Sequence, residues 1–180
     1  MSMVLKHWTY DDLLALPEDD LRHEIIDGEH VVSPAPFTKH QIVAGNIYGE
    51  LFIYLRRNPI GRVFAAPYDV VFAPDNVSEP DVLYISNERA SIVTEKNVQG
   101  PPDLVVEVIS ETGRRRDEVQ KKALYERFGV AEYWIADPNV DTIRVHRRGA
   151  YGKPVTLRSG DVLTSPLFPR LTIDVATLFR

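Results

Sequence analysis

A chain of 180 residues, 44% hydrophobic and 26% charged, has enough apolar material for the core of one ordinary domain without covalent staples. It has no cysteine, which excludes disulfides and thiolate metal sites. A net charge of −5 argues against a surface coated in phosphate-neutralising cations. The charge is uneven, however. Residues 1–30 hold Lys6 and Arg22 against eight acids, whereas 141–158 hold Arg144, Arg147, Arg148, Lys153 and Arg158 against Asp141 alone. The second stretch is either a basic edge or a solvated hairpin with scattered arginines.

In chain order, Met1 to Asp20 is acidic and lacks the apolar run of a signal peptide. No stretch approaches the roughly 18 apolar residues of a membrane span, so a cytoplasmic protein with no membrane partner is expected. Trp8 to Leu16 predicts a short helix stopped by Pro17. His23–Ile26 and Glu29–Val32 flank Asp27-Gly28, a dipeptide suited to the positive φ of a tight hairpin. After the turn Ser33-Pro34-Ala35-Pro36, Thr38 is placed to cap a helix to about Leu55, with Ile42, Ile47, Leu51, Phe52 and Leu55 at helical spacing. Arg62–Phe64 and Tyr68–Phe72 read as paired strands around Pro67.

Val82–Ile85 and Leu104–Ile109 are short apolar strands, introduced by Pro80-Asp81 and by Pro102-Asp103. A helix from about Gly113 to Phe128 ends at Gly129, and Glu132–Ala136 is a strand closed by Asp137-Pro138. Ile143–His146 with Pro154–Leu157 makes a late hairpin, and a short helix lies near Val175–Phe179. The expected fold is one α/β domain over residues 1–180, a mixed central β-sheet flanked by helices, with N-terminal and C-terminal β-hairpins. Strand 104–109, its helix and strand 132–136 form a βαβ crossover with 104–109 central.

Glu107 stands inside the apolar run Leu104-Val105-Val106-Glu107-Val108-Ile109, where both faces of the strand are expected to be buried. A carboxylate there costs several kcal/mol, on the order of 3 or more, unless it is paired or metal-bound. An arginine partner, or water reaching a strand end, is the plainer explanation. Two aspartates compete to join it. Asp103 lies on the same strand four residues away, roughly 13 Å at about 3.3 Å per residue, too far to share one small ion. Asp81 begins a separate strand that can lie alongside, and is preferred. For a cation, Lys121 falls roughly 20° from Phe128 on a helical wheel, at the edge of the buried stripe, whereas Lys122 points to solvent. Asp117, Lys121 and Tyr125 share one side at i, i+4 and i+8, the spacing also of an ordinary helix ion pair.

The segment PPDLVVEVIS, followed by an aspartate, a lysine and YERFGVAEYWIADP, resembles the Uma-two family of restriction endonucleases in the PD-(D/E)xK nuclease superfamily. HEIIDGEHVVSPAP with His40, EPDVLYI and VLTSPLFPRLTIDVATLF resemble it too, so the likeness runs from about Trp8 to the end of the chain. The resemblance implies a restriction-endonuclease-like core with Asp81 as motif aspartate, Glu107 as the following acid and Lys121 as a lysine migrated onto the helix. Ile109 occupies the position of the usual motif lysine. Glu24 matches a further acidic position and His40 a histidine, either of which could border a metal.

The implied chemistry is hydrolysis of nucleic-acid phosphodiesters, with DNA the expected substrate. Asp81 and Glu107 would ligate Mg²⁺, for which Mn²⁺ could substitute, Lys121 would assist, and His40, Arg114, Arg115 and Arg116 would contact substrate. A homodimer is the simplest way to cut both strands. The competing expectations are a catalytically inactive module of the same fold that binds nucleic acid or protein, and an unrelated hydrolase of small phosphoesters.

Overall fold

The computed structural model describes residues 6–110 and 113–180, so the first residues of the acidic N-terminal stretch lie outside it. Two sheets carry the fold. The larger has six strands: β3 (Gly61–Ala65), β6 (Val82–Ser86), β8 (Leu104–Val108), β9 (Glu132–Asp137), β10 (Thr142–Arg147) and β11 (Val155–Arg158), in the order β11-β10-β9-β8-β6-β3. Within this sheet β8 and β9 pair in parallel and the other neighbours are antiparallel, and β8 is interior, as the crossover expectation required. The smaller sheet contains β1 (Arg22–Ile26), β2 (Glu29–Ser33), β4 (Val70–Ala73), β5 (Asn76–Ser78) and β7 (Val98–Gln99), ordered β2-β1-β5-β4-β7. A two-stranded ribbon, β12 (Val162–Leu163) with β13 (Ile173–Asp174), precedes the last helix.

The first hairpin turns through Asp27 and Gly28, at φ 52° and 76°, the left-handed pair that a two-residue loop demands. The expected pairing of Arg62–Phe64 with Tyr68–Phe72 is incorrect. Strand β3 pairs with β6 in the large sheet, while β4 folds back on β5 across the two residues Pro74-Asp75. A two-residue turn closes at lower entropic cost than the longer connection around Pro67, and the apolar β6 gives β3 a buried neighbour.

Helices α1 (Tyr10–Leu14), α2 (Thr38–Arg57), α3 (Lys122–Arg127) and α4 (Val175–Leu178) surround the sheets. Thr38 is not a cap: it opens α2, and Phe37 occupies the N-cap position with no side-chain acceptor to offer. On α2, Val43, Ile47, Leu51 and Leu55 lie on one face of the large sheet against Val82, Tyr84, Val106 and Trp134. Residues of opposite parity, Leu83, Val105, Tyr133 and Ile135, meet Leu124 and Tyr125 of α3 on the other face. Period-two alternation therefore sends Glu107 to the α3 side. The helix containing α3 begins upstream with a π-helical turn, Arg116–Lys121. Wide turns of this kind are frequent at functional sites.

The helix stops at Gly129, whose φ is 76°. An added Cβ there would meet nothing closer than Arg148 at 3.6 Å, so a side chain would fit but the backbone would be strained. Gly129→Ala is expected to cost about 1–2 kcal/mol, read as a lower midpoint in urea unfolding with unchanged slope.

Candidate functional site

Strands β6 and β8 are antiparallel with Val82 opposite Val106. One step further along that register, Asp81 comes opposite Glu107. Both line a recess of about 180 Å³ together with Glu24, His40, Asp117 and Lys121. Asp103, the competing aspartate, lies elsewhere and accepts the Ser86 N–H at 2.7 Å. Antiparallel pairing, which puts the start of one strand beside the end of the other, brings Asp81 to Glu107.

At the floor, Lys121 Nζ stands 2.8 Å from both Glu107 Oε1 and Glu24 Oε1, and 3.9 Å from Asp117 Oδ1. Lys121 and Glu107 are each 2% exposed and Glu24 is 1% exposed. The Tyr125 hydroxyl donates to Glu107 Oε1 at 2.7 Å, which leaves the Ser78 hydroxyl, 3.1 Å away, to donate to Tyr125. Burial pushes the Glu107 carboxyl up to about 8 despite the opposing pull of Lys121. The same cause raises Asp117 to about 6. Burial disfavours the Lys121 ammonium, but Glu107, Glu24 and Asp117 outweigh it and hold its pKa above the ordinary lysine value. The acids here are undercompensated. One lysine faces three carboxylates.

Asp81 is held differently. Its Oδ1 accepts from Arg22 at 3.0 Å, and its Oδ2 accepts from the Val108 N–H at 2.7 Å and lies 3.1 Å from His40 Nε2. Burial works against its charge, yet His40, Arg22 and the Val108 N–H together keep its carboxyl below the ordinary value. Arg22 also reaches Glu79 at 2.8 Å.

Among the described residues, no three His, Cys, Asp or Glu side chains form a ready-built metal cage. The donor chemistry nonetheless fits a hard divalent cation. The site is carboxylate-rich and free of sulfur, and Glu24 Oε2 is buried with no hydrogen-bond partner among the described residues. An orphaned buried carboxylate oxygen is costly unless something positive reaches it.

Comparison with family models gives a match to "Uma2: Putative restriction endonuclease" over residues 10–176. The chain belongs to the Uma2 family. Among solved structures it is similar to a protein from Anabaena variabilis ATCC 29413 described as a putative nuclease belonging to DUF820. The two share 20% identity over 95% of this chain and 97% of that one, with a TM-score of 0.81, so the fold is shared. Comparison with curated proteins gives no match. The fold is the mixed α/β core expected of the family, its sheets flanked by helices.

The Uma2 match spans Glu24, His40, Asp81, Glu107 and Lys121, and all five line the recess. The three consecutive arginines divide. Arg116 lines the recess. Arg114 is drawn away into ion pairs with Asp137 at 2.7 Å and Glu118 at 3.1 Å, and Arg115 is exposed outside the lining. Arg22 went unnoticed in the sequence, although it precedes Glu24 by two residues on a strand and so shares its face. Asp117 and Tyr125 were legible only as members of a helix stripe.

Proposed function

We propose that the protein is a metal-dependent phosphodiester hydrolase acting on nucleic acid, DNA in the first instance, with Asp81 and Glu107 holding Mg²⁺ and Mn²⁺ able to substitute. The observation that carries this reading is the convergence of Glu107, Glu24 and Lys121, from three separate elements, on one buried point beside Asp81. Family membership supports it, as does the description of the structural relative as a putative nuclease. A bound ion lowers the pKa of a coordinated water and offsets charge on the phosphate. Lys121 supplies a preorganised positive charge for the phosphorane-like transition state. Glu24 and Tyr125 position Lys121 and Glu107, His40 and Arg22 orient Asp81, and Arg116 meets a phosphate beside the scissile one. Glu24 and Asp117, beside Glu107, would be the further acids to gain from a cation held there.

One observation favours the inactive binding module: every oxygen of Asp81 already accepts from the protein. A single experiment separates the two. Protein stripped with chelator is heated alone and with Mg²⁺, Mn²⁺ or Ca²⁺, and in parallel incubated with plasmid, single-stranded DNA and RNA. The hydrolase reading expects a melting temperature that rises with the ion and saturates, and cleavage that chelator stops. No stabilisation and no cutting with any of the three ions would leave the binding module. For cutting both strands of a duplex a homodimer remains part of the proposal, as does a cytoplasmic location. No helix among the described residues is long and apolar enough to cross a membrane.

A further inference from the structure

The recess has a second wall that the chemistry above uses only through His40. It is formed by His40 in the first turn of α2, a 20-residue helix, with Pro34, Pro36 and Phe37 just before it. Phe37 at the N-cap provides no side-chain acceptor, and the first intrahelical bond of the helix is Gln41 N–H to Phe37 O. The N–H groups of Thr38, Lys39 and His40 thus present the positive end of the helix dipole without a protein partner among the described residues. A second, independent observation points at a ligand. His40, 8% exposed, spends Nε2 on Asp81 while its buried Nδ1 has no partner among the described residues. Across the recess, Arg116 Nε is likewise buried without a partner. Lys121 and Arg22 already pair with carboxylates, so a phosphate flanking the scissile one falls to the helix end and Arg116.

Phe37 itself is 74% exposed. One exposed phenyl is ordinary; one at the lip of a polar recess, beside unsatisfied donors, has a use. A second hollow of about 140 Å³, against Gln41, Ala44 and Tyr48, shares Pro36 and His40 with the recess and adjoins it. Glu107 and Asp81, 2% and 4% exposed, lie at the bottom. In a stacked duplex the bases are paired and turned inward, whereas an unpaired nucleotide can turn its base onto an aromatic ring.

We infer that the first turn of α2, with Phe37 at its tip, is a substrate subsite that takes a phosphate and the adjoining unpaired base of a single-stranded nucleic acid. This deepens the hydrolase reading and rests on it for the identity of the ligand class.

The test is fluorescence anisotropy with fluorescein-labelled DNA and RNA single strands of about 12 nucleotides, within the usual site sizes for such binding, and with a hairpin duplex of the same sequence. Binding is measured in a Glu107→Gln background so that nothing is cut. Single strands should bind more tightly than the hairpin. Phe37→Ala should weaken single-strand binding roughly tenfold, the size of one base–aromatic stack, while Phe37→Trp retains it. Arg116→Gln should flatten the salt dependence of single-strand binding by about 0.7 in slope, the loss of one phosphate contact. The DNA and RNA arms show which sugar is preferred. Unchanged affinity in Phe37→Ala, a hairpin bound as tightly as the single strands, or no binding by either strand type would overturn the subsite. Its failure is distinguishable from that of the hydrolase: wild type that cuts while Phe37→Ala binds normally removes only the subsite, and normal binding without cutting removes only the chemistry.

Discussion

Lys121→Met is expected to destabilise the metal-free protein by about 3–5 kcal/mol, the cost of removing one partner from a buried ion pair. Methionine keeps most of the volume of the stem, so the loss is electrostatic. Glu107 Oε1 and Glu24 Oε1, each 2.8 Å from the ammonium, would be left buried beside Asp117 with no cation among them. The measurement is denaturant unfolding in chelator at about pH 9, above the value of about 8 at which the Glu107 carboxyl ionises. Adding Glu107→Gln to Lys121→Met should recover a large part of the loss, because one of the stranded carboxylates is then neutral; the two changes share a contact and cannot be additive. A loss below about 1 kcal/mol, the size expected of a solvated surface pair, would mean that water reaches the ammonium and that the buried trio is not formed. Cleavage should fall by about 100- to 1,000-fold as well, the usual effect of deleting one preorganised donor to a transition-state charge. Restored stability without restored cleavage in the double variant would separate the two duties of this lysine.

What the sequence made visible, and what it did not, follows the distance over which each feature is determined. Glu107 was conspicuous because a single carboxylate interrupts an otherwise apolar strand. Lys121 followed from helical periodicity, and the intervening π-helical turn did not change the side on which Asp117, Lys121 and Tyr125 lie, since all three are buried. The choice of Asp81 over Asp103 needed the pairing of β6 with β8, which strand composition does not encode; spacing argued against Asp103, and only register places Asp81. Arg22 was invisible because its partner Asp81 is 59 residues away, just before a strand of the other sheet. The arginine triplet was over-read. Glu118, one helical turn after Arg114, was a local clue to its ion pair, but Asp137 arrives only through the crossover to β9. Strands β7, β12 and β13, two residues each, are too short for any periodicity to register.

Glu107→Gln should have the opposite balance: little or no loss of stability, and cleavage reduced on the order of 1,000-fold or more by analogy with the upper range for a lost charge-stabilising group. Glutamine keeps the shape and an acceptor for Tyr125, and Lys121 retains Glu24, so no buried charge is stranded. Removing a charge that burial disfavours should in fact help. The carboxyl of Glu107 titrates at about 8 in the folded protein against an ordinary 4.5. Between those values the folded chain binds a proton that the unfolded chain has released, and stability therefore falls as pH rises through that window. Asp117, raised to about 6 from 3.8, contributes the same trend at the lower end. In chelator, wild type should lose melting temperature steadily from pH 5 to about 8, whereas Glu107→Gln should level off above about 6, where only the Asp117 contribution has ended. Wild type that gains stability over that range would show Glu107 to be ionised at low pH and fully paired, with no charge deficit for a metal ion to fill.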